Sequence, residues 1–141
     1  MERDASFLLA FQKTGRRGKN SLRILGIDDN EDITEMLKDI LTPAGHEFEF
    51  VNNGREGLKL IQEQKWDAVL LDIAMPEFSG RAVVNELVKN DNIKKQPIVL
   101  FTASSMSNEE MDEMIKMGVH LCLRKPIEIA NLLEILENIK K

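Results

Sequence analysis

Cysteine is almost absent from this chain of 141 residues. Its single cysteine, Cys122, has no second thiol in the sequence with which to form an internal disulfide, so a disulfide-stapled scaffold is excluded and a reducing cytoplasm is expected. The only two histidines, His46 and His120, lack metal-ligand spacing with each other or with Cys122. The sequence therefore predicts no site built from histidine and cysteine.

Long hydrophobic runs and excess positive charge are also lacking. No apolar run approaches the ~20 residues that a membrane-spanning helix needs. The formal net charge is −5 and no concentrated basic face is evident, so we expect neither a membrane nor nucleic acid as a direct partner. Hydrophobic residues make up 43% and charged residues 30% of the chain, which is typical of one globular domain.

The first twenty residues, "MERDASFLLAFQKTGRRGKN", differ from the rest. An acidic start precedes a short apolar patch and a basic stretch follows it, which is the reverse of the charge order in a signal peptide. We expect residues 1–20 to be a flexible leader and residues 21–141 to form the domain. The alternative for the leader is a basic tether or docking segment.

From residue 22 onward, short apolar runs alternate with segments whose apolar residues recur every three or four positions. This alternation predicts an α/β fold, a parallel sheet covered by helices on both faces. The expected inward residues of the helices include Leu58, Ile61, Val84, Val88, Ile115 and Ile129. The predicted strands are 22–27, 47–51, 68–72, 97–102 and 119–124. The first predicted helix ends near residue 42, the fourth includes Met111 and Met114, and the others span 54–65, 81–89 and 128–140.

Five polar residues fall where the predicted strands end, namely Asp28, Asp29, Asp72, Thr102 and Lys125. Each has an ordinary alternative. Asp28 and Asp29 could only cap a helix, Asp72 could be a carboxylate before a turn, Thr102 a strand or capping residue, and Lys125 a solvated lysine. Because the carboxyl ends of parallel strands meet at one edge, where open α/β sheets bind ligands, we expect all five to converge.

Such a cluster suits a metal-assisted reaction at phosphorus. Neighbouring carboxylates raise each other's pKa unless a cation relieves them, and Mg²⁺ prefers oxygen ligands together with phosphate oxygens. A carboxylate can itself attack phosphorus and form an acyl phosphate, with an ammonium and a hydroxyl available to stabilise the equatorial oxygens. The residues therefore predict a phosphoryl-binding site at this edge.

Four segments in order, "IDDNED", "LLDIAMPEFSG", "VLFTAS" and "LRKP", resemble the signature segments of the CheY-like response-regulator receiver domain of two-component signalling. The resemblance spans about residues 22 to 140. It implies a doubly wound, flavodoxin-like (βα)5 fold with a five-stranded parallel sheet in the order 2-1-3-4-5. It also implies a stand-alone receiver, with a domain cut from a longer chain as the alternative.

The resemblance implies that Asp72 accepts a phosphoryl group from a sensor histidine kinase or phosphotransfer protein. Mg²⁺ would be bound by Asp29, Asp72 and the backbone carbonyl of Ala74, with Asp28 acting through water. Lys125 would pair with the phosphoryl oxygens. In the same reading Thr102 would hydrogen-bond one of those oxygens, and Ala74 and Ser104 correspond to positions that tune phosphoryl lifetime in the family.

One position departs from the family's usual pattern. Where many receivers have Tyr or Phe, three residues before the lysine, this chain has Cys122, and it contains no tyrosine at all. Phe101 is expected to point away from Thr102, so it does not replace the missing ring. We therefore do not expect the usual coupling between an aromatic side chain and Thr102, and Cys122 is the atypical switch position.

The expected function is a signalling switch that catalyses only its own phosphorylation and dephosphorylation. Its output would pass to a downstream effector protein, or to a weak homodimer, through the fourth helix, fifth strand and fifth helix. The alternatives are a docking module that is never phosphorylated and an aspartyl-phosphate hydrolase. The hydrolase lacks the second acid that such enzymes place two residues after the nucleophile, because that position is Ala74.

Overall fold

A computed structural model describes residues 21–103 and 105–139. Within these residues five strands and five helices alternate along the chain. The elements, in order, are β1 (Arg23–Ile27), α1 (Glu31–Leu41), β2 (Glu47–Val51), α2 (Gly54–Glu63), β3 (Ala68–Asp72), α3 (Gly80–Lys89), β4 (Ile98–Thr102), α4 (Asn108–Met117), β5 (Leu121–Arg124) and α5 (Ile129–Ile139).

The strands form one parallel sheet in the order β2-β1-β3-β4-β5, which confirms the predicted fold. The register pairs Asp72 at the end of β3 with Phe101, and Thr102 at the end of β4 with Arg124. All strands run in the same direction, so their carboxyl ends lie along one edge of the sheet. This edge carries the polar residues that the sequence pattern singled out.

Two hydrophobic clusters cover the faces of the sheet, because side chains alternate along each strand. One cluster joins the strands to α2, α3 and α4, and it includes Leu71, Val84 and Met114. The other joins them to α1 and α5. β3 and β4 are buried at every residue, as expected for central strands of a sheet covered on both sides.

Three residues expected to face the core are largely exposed, so that part of the prediction was wrong. Val88, Ile115 and Ile129 expose 40%, 41% and 45% of their surface. Val88 and Ile115 each follow a buried residue, Leu87 and Met114, by one position, and that step rotates a side chain about 100° around the helix. Ile129 is the first residue of α5.

Among residues 21–103 and 105–139, no helix is both long and apolar enough to cross a membrane.

Candidate functional site

Asp28 follows β1 and is held by backbone contacts on both sides. Its N–H donates to the carbonyl of Val51 at 3.3 Å, and its Oδ1 accepts from the N–H of Asn30 at 2.9 Å. Asn30 caps α1, since its side chain accepts from the N–H of Asp32. The alternative in which the two aspartates only cap this helix is therefore wrong, and Asp28 is left facing the edge of the sheet.

Asp72 reaches the same edge as the last residue of the buried strand β3 and is 2% exposed. The chain then turns back to begin α3 at Gly80, whose N–H donates to the carbonyl of Ile73 at 3.0 Å. A Cβ on Gly80 would lie 2.3 Å from the carbonyl oxygen of Asp72. Glycine at this position therefore lets α3 pack directly against the end of the strand that carries the carboxylate.

The structure brings four of the five predicted residues together. Carboxylate oxygens of Asp28, Asp29 and Asp72 lie within 4.8 Å of one another. The ammonium of Lys125 lies 2.9 Å from Oδ1 of Asp72 and 3.7 Å from Oδ2 of Asp28. Asp28 and Asp72 are buried, whereas Asp29 is exposed, so the cluster opens to solvent on one side.

The electrostatics of the cluster are unbalanced towards negative charge. Burial raises the pKa of Asp28 above its ordinary value, and the neighbouring Asp72 and Asp29 add to this effect. Burial lowers the pKa of Lys125, but its hydrogen bond to Asp72 and the charges of Asp72 and Asp28 outweigh that effect, so the net shift is upward. Lys125 is therefore a firmly protonated cation beside three acids.

The donor set fits a hard divalent cation. Oδ2 of Asp28 is buried without a hydrogen-bond partner, and the Lys125 ammonium at 3.7 Å is too distant to donate to it, so this oxygen can still accept a cation at bonding distance. Three carboxylates supply oxygen ligands of the kind that Mg²⁺ prefers, and the exposed side at Asp29 leaves room for waters and a substrate oxygen. Asp28, Asp29 and Asp72 could together hold such an ion.

Other predicted residues lie at the edge of this cluster or outside the described residues. Thr102 is fully buried, and its hydroxyl donates to the carbonyl of Leu123 at 3.3 Å. Ala74 is exposed in the loop that follows Asp72. Ser104 lies outside the described residues, so its expected role in tuning phosphoryl lifetime stays a prediction.

Cys122 lies within the core cluster of α2, α3 and α4. Its thiol donates to the carbonyl of Met111 at 3.9 Å. Burial raises the pKa of this thiol above its ordinary value, and the negative charge of Asp112 raises it further. Such a thiol is poorly ionised and unreactive. Phe101 belongs to the opposite cluster, on the other face of the sheet from Leu100 and Cys122.

Comparison with known proteins matches residues 24–137 to the response regulator receiver domain. The chain belongs to this family. The chemotaxis protein CheY of Thermotoga maritima is 36% identical over 121 residues, which cover 84% of this chain and 98% of that protein. The polar-differentiation response regulator DivK of Brucella anthropi is 29% identical over 115 residues, covering 82% and 93%.

Solved receiver domains have the same architecture. The receiver domain of the Francisella response regulator 1452 superimposes with a TM-score of 0.77 at 25% identity, covering 84% of this chain and 96% of that one. The receiver domain of the sensor histidine kinase PA1611 of Pseudomonas aeruginosa, solved with a magnesium ion coordinated in its active-site cleft, gives a TM-score of 0.74 at 24% identity, with 85% and 98% covered.

Receiver domains are signalling switches rather than classical enzymes, and phosphorylation-based switching is general for the family. They bind Mg²⁺ in an acidic pocket and interact with histidine kinases or phosphotransfer proteins and with downstream effectors. This receiver domain has an acidic cluster, Asp28, Asp29 and Asp72, at the ends of β1 and β3.

Two residues that contact the site region escaped the sequence analysis. Asn52, in the loop after β2, donates to the backbone carbonyl of Asp28 at 2.7 Å. Arg124, next to Lys125, donates to Oδ1 of Asn108 at 2.6 Å and to the carbonyl of Met106. The signal for Asn52 was its position in a loop at the carboxyl edge of the sheet, whereas Arg124 ends the predicted strand 119–124 and its side-chain contacts do not follow from the pattern.

Proposed function

We propose that this receiver domain accepts a phosphoryl group on Asp72, in a Mg²⁺-dependent reaction, from a phosphohistidine of a sensor histidine kinase or phosphotransfer protein. The observation that carries the proposal is the geometry of Asp72. Its carboxylate is buried at the end of β3, 2.9 Å from a lysine ammonium and within 4.8 Å of two further carboxylates. A carboxylate that only ends a strand does not require an ammonium and two further carboxylates beside it.

In the proposed step an oxygen of Asp72 attacks phosphorus, a P–O bond forms, and the P–N bond to the donor imidazole breaks, leaving the electron pair on that nitrogen, which takes a proton from solvent. Lys125 is placed to pair with the phosphoryl oxygens as they approach. Asp29, Asp72, the carbonyl of Ala74 and, through water, Asp28 would hold Mg²⁺. The bound ion would supply positive charge that offsets repulsion between the carboxylates and the incoming phosphoryl group.

The output of the switch is proposed to pass through Thr102. Its hydroxyl donates to the carbonyl of Leu123, and the N–H of Lys125 donates to the carbonyl of Thr102 at 2.8 Å. A phosphoryl group on Asp72 would offer this hydroxyl a charged acceptor in place of a neutral one. Its reorientation would alter the surface of α4, β5 and α5, which we propose as the surface for a downstream effector or a weak homodimer.

Several finer points belong to the same proposal. Cys122 fills the position where many receivers have an aromatic ring, so Thr102 would act without that coupling. Ala74 and Ser104 would tune the lifetime of the phosphoryl group. We further propose that residues 1–20 form a leader before a domain over 21–141, and that the protein works in a reducing cytoplasm, which suits its single thiol.

The direct test is incubation of the full chain with Mg²⁺ and acetyl phosphate, followed by intact-mass measurement. We expect one added phosphoryl mass that is removed by hydroxylamine, as an acyl phosphate would be, and that is lost when Mg²⁺ is chelated. Asp72→Asn is expected to form no adduct. Asp67→Asn is a matched control, because Asp67 precedes the same strand at its opposite end, and it should be modified like the wild type.

The outcomes separate the proposed switch from its alternatives. No adduct with acetyl phosphate or with a histidine kinase would contradict the proposal and favour a docking module. Rapid multiple turnover of phosphate esters would favour a hydrolase. An adduct that persists in Asp72→Asn would show that another residue accepts the phosphoryl group.

A further inference from the structure

The amide of Asn52 joins the loop after β2 to the loop that carries Asp28. Its Nδ2 donates to the backbone carbonyl of Asp28 at 2.7 Å and to the hydroxyl of Thr34 at 3.3 Å. The hydroxyl of Thr34, a fully buried residue, donates onward to the carbonyl of Glu31 at 3.0 Å. One side chain therefore connects Asp28, two residues before the α1 cap, with Thr34 inside α1.

The orientation of this amide is fixed by chemistry. The carbonyl of Asp28 can only accept a hydrogen bond, so the nitrogen of Asn52 must face it. Both hydrogens of the amide have acceptors, one in the carbonyl of Asp28 and one in Thr34. The contact is specific to the side chain, because an alanine in its place would offer no donor.

Asp28 requires such restraint because it lies where a carboxylate is costly. It is 2% exposed, its Oδ2 has no hydrogen-bond partner, and Asp72 and Asp29 repel it, while the Lys125 ammonium, 3.7 Å from Oδ2, offsets only part of this. With no opposing contact, the loop after β1 would relax so that this carboxylate turns towards water. Three hydrogen bonds oppose that movement: from its own N–H to Val51, from Asn30 to Oδ1, and from Asn52 to its carbonyl.

We infer that Asn52 is a positioning residue that holds Asp28 in the geometry needed to bind Mg²⁺ and so, resting on the proposed function, to support phosphorylation of Asp72. Asn52 touches neither the acceptor oxygen nor the ion. It acts through the backbone of Asp28, and the hydroxyl of Thr34 accepts a second hydrogen bond from its amide.

The test is a titration of MgCl₂ into the ¹⁵N-labelled full chain, following the amide resonances of Asp29 and Ile73. For Asn52→Ala we expect the dissociation constant for Mg²⁺ to rise about 10-fold, as for other residues that orient a metal ligand. Thr34→Val keeps the shape of that side chain and is expected to weaken binding less. Combined with Asn52→Ala it should add nothing further, because both changes break the same chain of hydrogen bonds.

The matched control is Asn53→Ala, in the same loop. Asn53 caps α2 by accepting from the N–H of Glu56, so its loss should lower the midpoint of thermal unfolding but leave the Mg²⁺ affinity within about twofold. Equal losses of Mg²⁺ affinity in Asn52→Ala and Asn53→Ala would overturn the inference, since loop stability would then explain both. Losses that simply add in the Asn52 and Thr34 double variant would also contradict it.

The inference and the proposed function can fail separately. If the wild type takes no phosphoryl group but Asn52→Ala still weakens Mg²⁺ binding, the proposed function is wrong and the inference stands. If the wild type is phosphorylated and Asn52→Ala binds Mg²⁺ as the wild type does, the inference is wrong and the function stands. A wild type that binds no Mg²⁺ contradicts both.

Discussion

Glu77 has a backbone φ of +67°, in the left-handed region that side chains with a Cβ rarely adopt. It lies in the turn between Asp72 and α3, where Phe78 donates its N–H to the carbonyl of Pro76 at 2.7 Å. The tight return of the chain from β3 to α3 imposes this conformation on a residue that does not favour it. Backbone strain is therefore located within a few residues of the proposed acceptor.

Glu77→Gly is expected to stabilise the domain by about 1 kcal/mol, because glycine adopts this φ without steric cost, although part of the gain is lost to its greater freedom in the unfolded chain. The measurement is the free energy of unfolding in urea. Glu77→Ala is the control, since it removes the same charge but keeps the Cβ. An equal gain in both variants would assign the effect to charge repulsion near the acidic cluster and not to the backbone.

At the scale of elements, Arg124 connects β5 to the start of α4. Its guanidinium donates to the carbonyl of Met106 and to the side chain of Asn108, the first residue of α4. A cation at the beginning of a helix interacts unfavourably with the helix dipole, so helix stability does not explain this placement. The contact ties the segment after Thr102 to the residue that precedes Lys125.

Arg124→Met is expected to increase amide hydrogen exchange of Met106 about 5- to 10-fold, because the segment between β4 and α4 loses charge-assisted hydrogen bonds that are partly exposed to solvent. Arg124→Lys, which keeps the charge but not the two-pronged geometry, should give an intermediate increase. Exchange measured by NMR should stay unchanged in α1. Faster exchange throughout the sheet would indicate global destabilisation and contradict a local tether.

The elements also show what the sequence could predict and what it could not. Buried parallel strands have nearly continuous apolar runs that end abruptly, so the strands and the residues at their carboxyl ends, such as Asp72, could be placed from the pattern. The buried face of a helix could be placed from the pattern only to within about one residue, because a step of one residue separates buried Leu87 from exposed Val88. Asn52 could not be found, since its contact with Asp28 spans 24 residues and depends on how two loops meet.

At the scale of the whole molecule, His46 joins the start of β1 to the start of β2 at the edge opposite the acidic cluster. It is buried, and its Nδ1 accepts from the N–H of Leu22 at 3.0 Å. Burial lowers the pKa of His46 below its ordinary value of 6.5, and the charge of Glu137 on α5 only partly opposes this. The imidazole of His46 therefore binds a proton less readily in the folded chain than in the unfolded chain.

The sign of the resulting pH dependence follows from this difference in protonation. Below pH 6.5 the unfolded chain binds the proton at His46 first, so the stability that depends on neutral His46 is complete above this pH and is lost as the pH falls towards the lowered folded pKa. We therefore expect the free energy of unfolding to fall between about pH 7.5 and pH 5.5 because of this group. The raised pKa of Asp28 has the opposite effect on stability at lower pH, because the folded chain binds that proton more readily than the unfolded chain does. This effect is the same in every variant compared.

His46→Asn isolates the contribution, because its side-chain oxygen can accept from Leu22 as Nδ1 does but does not titrate. We expect the urea-unfolding curves of this variant to shift less between the two pH values than those of the wild type. The exposed His120→Asn controls for the loss of one imidazole and should follow the wild type. If His46→Asn and the wild type lose equal stability between the two pH values, the buried imidazole does not couple folding to pH.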